Sequence, residues 1–148
     1  MVHPTRRAGL RWCVAGLAIL MATVIMWSDG AVDAWGAMVK LALTWNSEAT
    51  TAVMGARRWG DADLHIALWG TVTVIVLWAT RSRRAVLIAV IALLTWSAFT
   101  EIAQPWLTDH RTRQGVDFVG NAVGILLATG LVLAVRALRQ RRLESARA

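Results

Sequence analysis

The feature that most constrains this chain is its division into four long, predominantly apolar runs, at about 10–27, 64–80, 85–104 and 118–138. As helices rising about 1.5 Å per residue, runs of this length cross roughly 30 Å of hydrocarbon. A soluble domain shows its apolar residues one face at a time, not in separate long runs. Helices are required, because a single segment in lipid must satisfy its backbone groups internally. The expected fold is therefore all-α: one membrane domain, 1–148, with four transmembrane helices. A composition that is 57% hydrophobic, with mean hydropathy +0.51, agrees.

Charge fixes an expected orientation. A net charge of +7 and a pI of about 11.6 would suit a nucleic-acid binder. Here, however, the arginines flank the apolar runs, so no nucleic-acid partner is expected. Eleven of the sixteen basic residues fall on one side: Arg6, Arg7 and Arg11, then Arg81, Arg83 and Arg84, then Arg136, Arg139, Arg141, Arg142 and Arg147. The other side carries Lys40, Arg57, Arg58, Arg111 and Arg113, with most of the acids. The positive-inside rule puts both termini and the 81–84 turn in the cytoplasm, and 28–63 and 105–117 outside the cell membrane. The basic tail at 139–148 is expected to touch anionic lipid. A cleaved signal peptide is the weaker reading of the first run, with Val32-Asp33-Ala34 as its processing site; the run is long for that role. Cys13 is alone, forms no internal disulfide, and reads as a small packing residue.

Tryptophan marks the boundaries. Trp12, Trp27, Trp59, Trp78 and Trp106 lie near predicted helix ends, where an amphipathic ring favours the interface. Trp69 and Trp96 lie deeper and are expected to pack between helices. In the first outer loop, Val32, Trp35, Val39 and Leu43 recur at helical spacing, which predicts a short interfacial helix.

Three polar groups stand where apolar helices meet the outer surface. Asp61 and His65 are four apart and share a face of the second helix. Glu101 and Gln104 share a face at the end of the third helix, with Ser97 one turn deeper; Pro105 is expected to end that helix. Asp117, Asn121 and Gly124 form a stripe entering the fourth, after Arg111 in the loop. Alternating helix direction brings all three groups to one depth. Ionisable groups are costly against lipid, so these are expected to face one another around an outward cleft. Glu101 is expected either to carry a proton or to pair with Arg111. Each residue also has a plain structural reading. Asp61 and Asp117 suit helix N-caps, Asn121 suits interhelical bonding, Gly124 suits close packing, and Asp63, Asp109 and His110 suit solvated positions.

Asp61-x-x-x-His65, Glu101-x-x-Gln104, Arg111, and Asp117-x-x-x-Asn121-x-x-Gly124 resemble the motif of the VanZ-like family, over about 61–130. That family usually has a lysine after the first acid, where Ala62 stands here. The resemblance implies a small polytopic membrane protein and, from the name-giving member, a link to low-level teicoplanin resistance. Two functions follow as expectations. The first is binding or remodelling of a cell-envelope lipid or lipid-linked cell-wall precursor at the outer face. Arg111, Gln104, Asn121 and Asp61 would bind it. The alternative is a membrane-embedded acid–base hydrolase or transferase, with Glu101, Asp117 and His65 as catalytic groups. Neither G-x-S-x-G nor H-E-x-x-H is present. Asp61, His65 and Asp117 form a conceivable but undiagnostic metal set, so no metal and no cofactor is assigned. Membrane lipids are the expected partners, and a homo-oligomer is compatible with the sequence.

Overall fold

A computed structural model describes residues 4–56, 61–108 and 115–147. Among them the chain forms six helices and no strand: α1 Pro4–Met26, α2 Gly30–Ala42, α3 Ser47–Ala56, α4 Ala62–Ala79, α5 Arg83–Leu107 and α6 Gly115–Ser145. Four of these, α1, α4, α5 and α6, are long and apolar enough to cross a membrane. The fold is thus an all-α membrane bundle with four spanning helices. The expected short helix of the first outer loop is α2. A second one, α3, follows it without having been expected.

α4 is the hub. It packs along α6 most extensively, then along α1 and α5. Its buried residues, among them Leu64, Trp69, Thr73 and Leu77, leave little of its circumference to lipid. The other three helices bury one stripe each. On α1 that stripe is Ala15, Ala22 and Met26; on α6 it is Asp117, Asn121, Gly124 and Ala128. Their remaining faces present Leu17, Leu20, Leu87, Ile91, Leu126 and Leu127 outward, as a bilayer requires. Cys13 lies off the α1 stripe and is exposed, so it does not have the expected packing role.

Side-chain bonds tie α1 to α5. Trp96 Nε1 donates to Thr23 Oγ1 at 2.9 Å, and Trp27 Nε1 to the Thr100 carbonyl at 3.2 Å. Gln104 Nε2 donates to the Met26 carbonyl at 2.7 Å, closing the end of α1. Trp69 is fully buried, as expected. Trp96 is not: it is 40% exposed, with its ring against Phe99 and its N–H turned inward.

α5 runs through Pro105 to Leu107 instead of ending before it. A proline this close to a helix end forfeits one backbone bond and no more of the helix has to follow. Thr108 then finishes the helix, its N–H and hydroxyl both donating to the Gln104 carbonyl. At the other end of α5, Ser82 caps it by accepting from the Ala85 N–H at 3.1 Å.

The C-terminus of α4 is held by α6. The half-buried Arg136 donates through Nη2 to the carbonyls of Leu77 and Thr80. The Leu77 carbonyl also accepts from the Thr80 N–H and hydroxyl, so Arg136 adds a charged donor to a helix end that is already closed. Arg136→Met is expected to cost about 1.5–3 kcal/mol, the usual loss for hydrogen bonds from a charged group. SDS titration of the detergent-solubilised protein, followed by helicity, would read it; a midpoint equal to the wild type would refute this role.

Candidate functional site

The site grows from helix ends. Asp61 occupies the N-cap position of α4, yet its side chain makes no capping hydrogen bond. Its carboxylate instead reaches one turn along the helix, where Asp61 Oδ1 lies 3.7 Å from His65 Nε2. Asp117, in the first turn of α6, brings Oδ2 to 3.9 Å from the same nitrogen. The capping role considered for these acids is therefore not what Asp61 does with its side chain.

The opposite side of the imidazole faces α5 and α6. His65 Nδ1 lies 2.7 Å from Asn121 Oδ1 and 3.7 Å from Glu101 Oε2. Asn121 Nδ2 donates to Glu101 Oε2 over a long 3.4 Å. A carboxylate oxygen accepts, so the Asn121 amide nitrogen points to Glu101 and its oxygen to His65. The other ring nitrogen of His65, Nε2, faces Asp61 and Asp117.

All of these groups are buried: His65 is 0% exposed, Asn121 1%, Asp117 2%, Glu101 5% and Asp61 7%. Gln104 and Ser97 are buried beside Glu101 on α5. Gln104 differs from its expected role, because its amide donor is committed to the Met26 carbonyl. Only its Oε1 remains without a hydrogen bond among the described residues. The structure thus brings together Asp61, His65, Glu101, Asp117 and Asn121. Arg111, the expected anion ligand and partner of Glu101, lies outside the described residues, as do Arg57, Arg58, Trp59, Asp109, His110 and Arg113.

Sequence reading missed two features. Asp63, taken as solvated, accepts from Trp35 Nε1 at 2.9 Å and so fastens α2 over the start of α4. The tryptophan was legible only as an apolar position of α2. Gly120 was missed entirely, although it stands four residues before Gly124, the spacing of small residues at close helix crossings. A Cβ there would lie 2.9 Å from the Ala62 carbonyl oxygen and 3.1 Å from the His65 Cβ. That absence of a side chain lets α6 lie directly against the segment carrying His65.

Chemically, the cluster can hold a proton between an imidazole and a carboxylate, which is the requirement of general acid–base work. It can also hold a divalent cation. One ligating atom each from Asp61, His65 and Asp117 lie within 4.8 Å of one another. An ion held at roughly 2.0–2.2 Å from each would draw them closer, with Asn121 orienting the ring from its far nitrogen, as in many metal-bound histidines. Comparisons with family models, curated proteins and solved structures return no match. The site is therefore described by its own geometry.

Proposed function

We propose that this chain is a VanZ-like protein of the cell membrane that binds a cell-envelope lipid or lipid-linked cell-wall precursor at the outer end of its bundle. One observation carries this reading. Asp61, His65, Glu101, Asp117 and Asn121, spread over sixty residues of sequence, are buried together inside an otherwise apolar bundle. Polar burial of that kind is expensive in a membrane protein and marks function by default. Arginines crowd the other end, which supports an outward-facing cluster and cytoplasmic termini. The described part of the cluster is rich in acceptors and suits ammonium, amide or hydroxyl groups of a ligand. Arg111 would supply the contact to a phosphate or carboxylate.

The test is susceptibility to teicoplanin in cells carrying Glu101→Gln or Arg111→Ala, with membrane abundance measured in parallel. Each variant is expected to return susceptibility to that of cells lacking the protein, at normal abundance. Full protection by both variants would defeat the reading. The enzyme alternative is favoured by one detail, the two nitrogens of His65 facing opposite sets of polar groups. Turnover of a purified lipid-linked precursor by the wild type and not by His65→Gln would select it.

A further inference from the structure

We propose that a groove at the end of the bundle opposite the buried cluster is a binding site for one anionic phospholipid. α1 and α6 both pack against α4, and between them a cavity of about 620 Å³ opens over the last turns of α4. That volume is within the usual range of small-ligand sites. Four arginines line it, Arg11, Arg81, Arg136 and Arg139, and no acidic residue does. Such basic pockets between transmembrane helices suit phosphate headgroups.

The charges are not equivalent. Arg136 is turned toward the carbonyls that end α4. Arg11 lies over the Trp78 ring, 4.8 Å from its centroid, and so is held against the groove wall by a cation–π contact. Arg81 and Arg139 are exposed at the rim. Further along the bundle the lining turns apolar, with Val74, Leu131 and Val135. From Arg139 to Leu131 is about 12 Å along the helix at the standard rise. A cationic rim over an apolar trough matches a phosphate head with the start of its acyl chain. A zwitterionic lipid would bring an ammonium among four guanidinium groups, so the headgroup is net anionic. The general attraction of the basic tail for lipid thereby becomes a defined site, and its residues belong to α1, α4, the turn that follows α4, and α6 together. It stands apart from any role of the buried cluster.

The probe is brominated phosphatidylglycerol, added to the full-length protein in zwitterionic detergent, with quenching of tryptophan fluorescence as readout and brominated phosphatidylcholine as comparison. Two double variants remove equal charge: Arg81→Gln with Arg139→Gln in the groove, and Arg141→Gln with Arg142→Gln beyond it. The groove pair leaves Arg136 and Arg11, and hence the packing of α4, in place; helicity confirms it. The expected result is preferential quenching by phosphatidylglycerol, with apparent affinity falling about thirtyfold in the groove pair, from roughly 1 kcal/mol of attraction for each of its two arginines. The tail pair should stay within about twofold of the wild type, because Arg141 and Arg142 do not line the groove. Equal losses in the two pairs would reduce the effect to diffuse charge and overturn the proposal. So would equal quenching by the two lipids in the wild type. Displacement of the lipid by millimolar inorganic phosphate would also overturn it, since the arginines would then recognise phosphate without its chain.

Discussion

Gly124→Val is expected to break the seat of α6 on α4 and abolish the buried cluster. A Cβ at position 124 would stand 2.5 Å from the Ile66 carbonyl oxygen, 3.0 Å from the Ile66 Cα and 3.1 Å from the Gly70 N. All three are backbone atoms, so no side chain can swing away and the helices must separate. Valine adds two further carbons beyond that Cβ. Overpacking of even a yielding core typically costs about 1–3 kcal/mol, and a backbone clash at a helix crossing should exceed about 3 kcal/mol. Asn121 and Asp117 lie on the same stripe, one and two turns before Gly124, so they move with it. Their approach to His65, including the 2.7 Å bond that Asn121 Oδ1 accepts from Nδ1, would be lost. Gly130→Val supplies the comparison, because nothing lies within 4 Å of a Cβ at that position. SDS titration should show Gly124→Val unfolded or strongly destabilised and Gly130→Val little changed. Equal stabilities would mean that the two helices tolerate a wider spacing than the structure describes.

The second large effect is at His65. This side chain is fully buried and faces three acids, Asp61, Glu101 and Asp117, at 3.7–3.9 Å. His65→Leu fills the volume but removes the one group placed among them. Removing the partner of a buried polar group typically costs about 1–3 kcal/mol, and more where the group left behind is charged. If the acids are the source of the loss, neutralising one should relieve it. The double variant His65→Leu with Asp117→Asn is therefore expected to be less destabilised than the sum of its single changes, by about 1 kcal/mol or more. Strict additivity in the same titration would leave His65 as a packing residue with no electrostatic part in holding the cluster.

Much of this arrangement was legible in the sequence because the constraint was strong. Lipid demands helices, and runs of fixed length gave the four spans. Six of their eight boundaries moved outward by two to seven residues, because helices continue past the hydrocarbon where caps such as Ser82 and Thr108 let them, while the C-terminal ends of α1 and α4 fall one residue short. The cluster was legible for a related reason. Asp61 and His65, or Asp117 and Asn121, share a helix face at a spacing of four, and an apolar surrounding leaves such pairs only the interior to face.

What stayed hidden depended on partners remote in sequence. Trp35 and Asp63 are 28 positions apart, and nothing in either neighbourhood predicts their bond. Arg136 read as one basic residue among several in the tail, while its contact is with carbonyls 56 and 59 residues earlier. Gln104 read as a ligand-facing amide, while its donor is spent on the end of α1. Pro105 read as a stop, since a proline's local effect is on the preceding turn and the sequence does not say how little helix remains.

The intimate crossing of α4 and α6 also has a bearing on biosynthesis. α6 leaves the ribosome after α4 and α5, yet it delivers Asn121 and Asp117 to a histidine some fifty residues earlier in the chain. Until then Asn121 and Asp117 cannot yet cover His65 and Glu101. A nascent chain stalled after α5 would carry those groups uncovered, at the cost that lipid imposes on ionisable side chains. Arrival of α6 and concealment of polarity are, in this bundle, the same event.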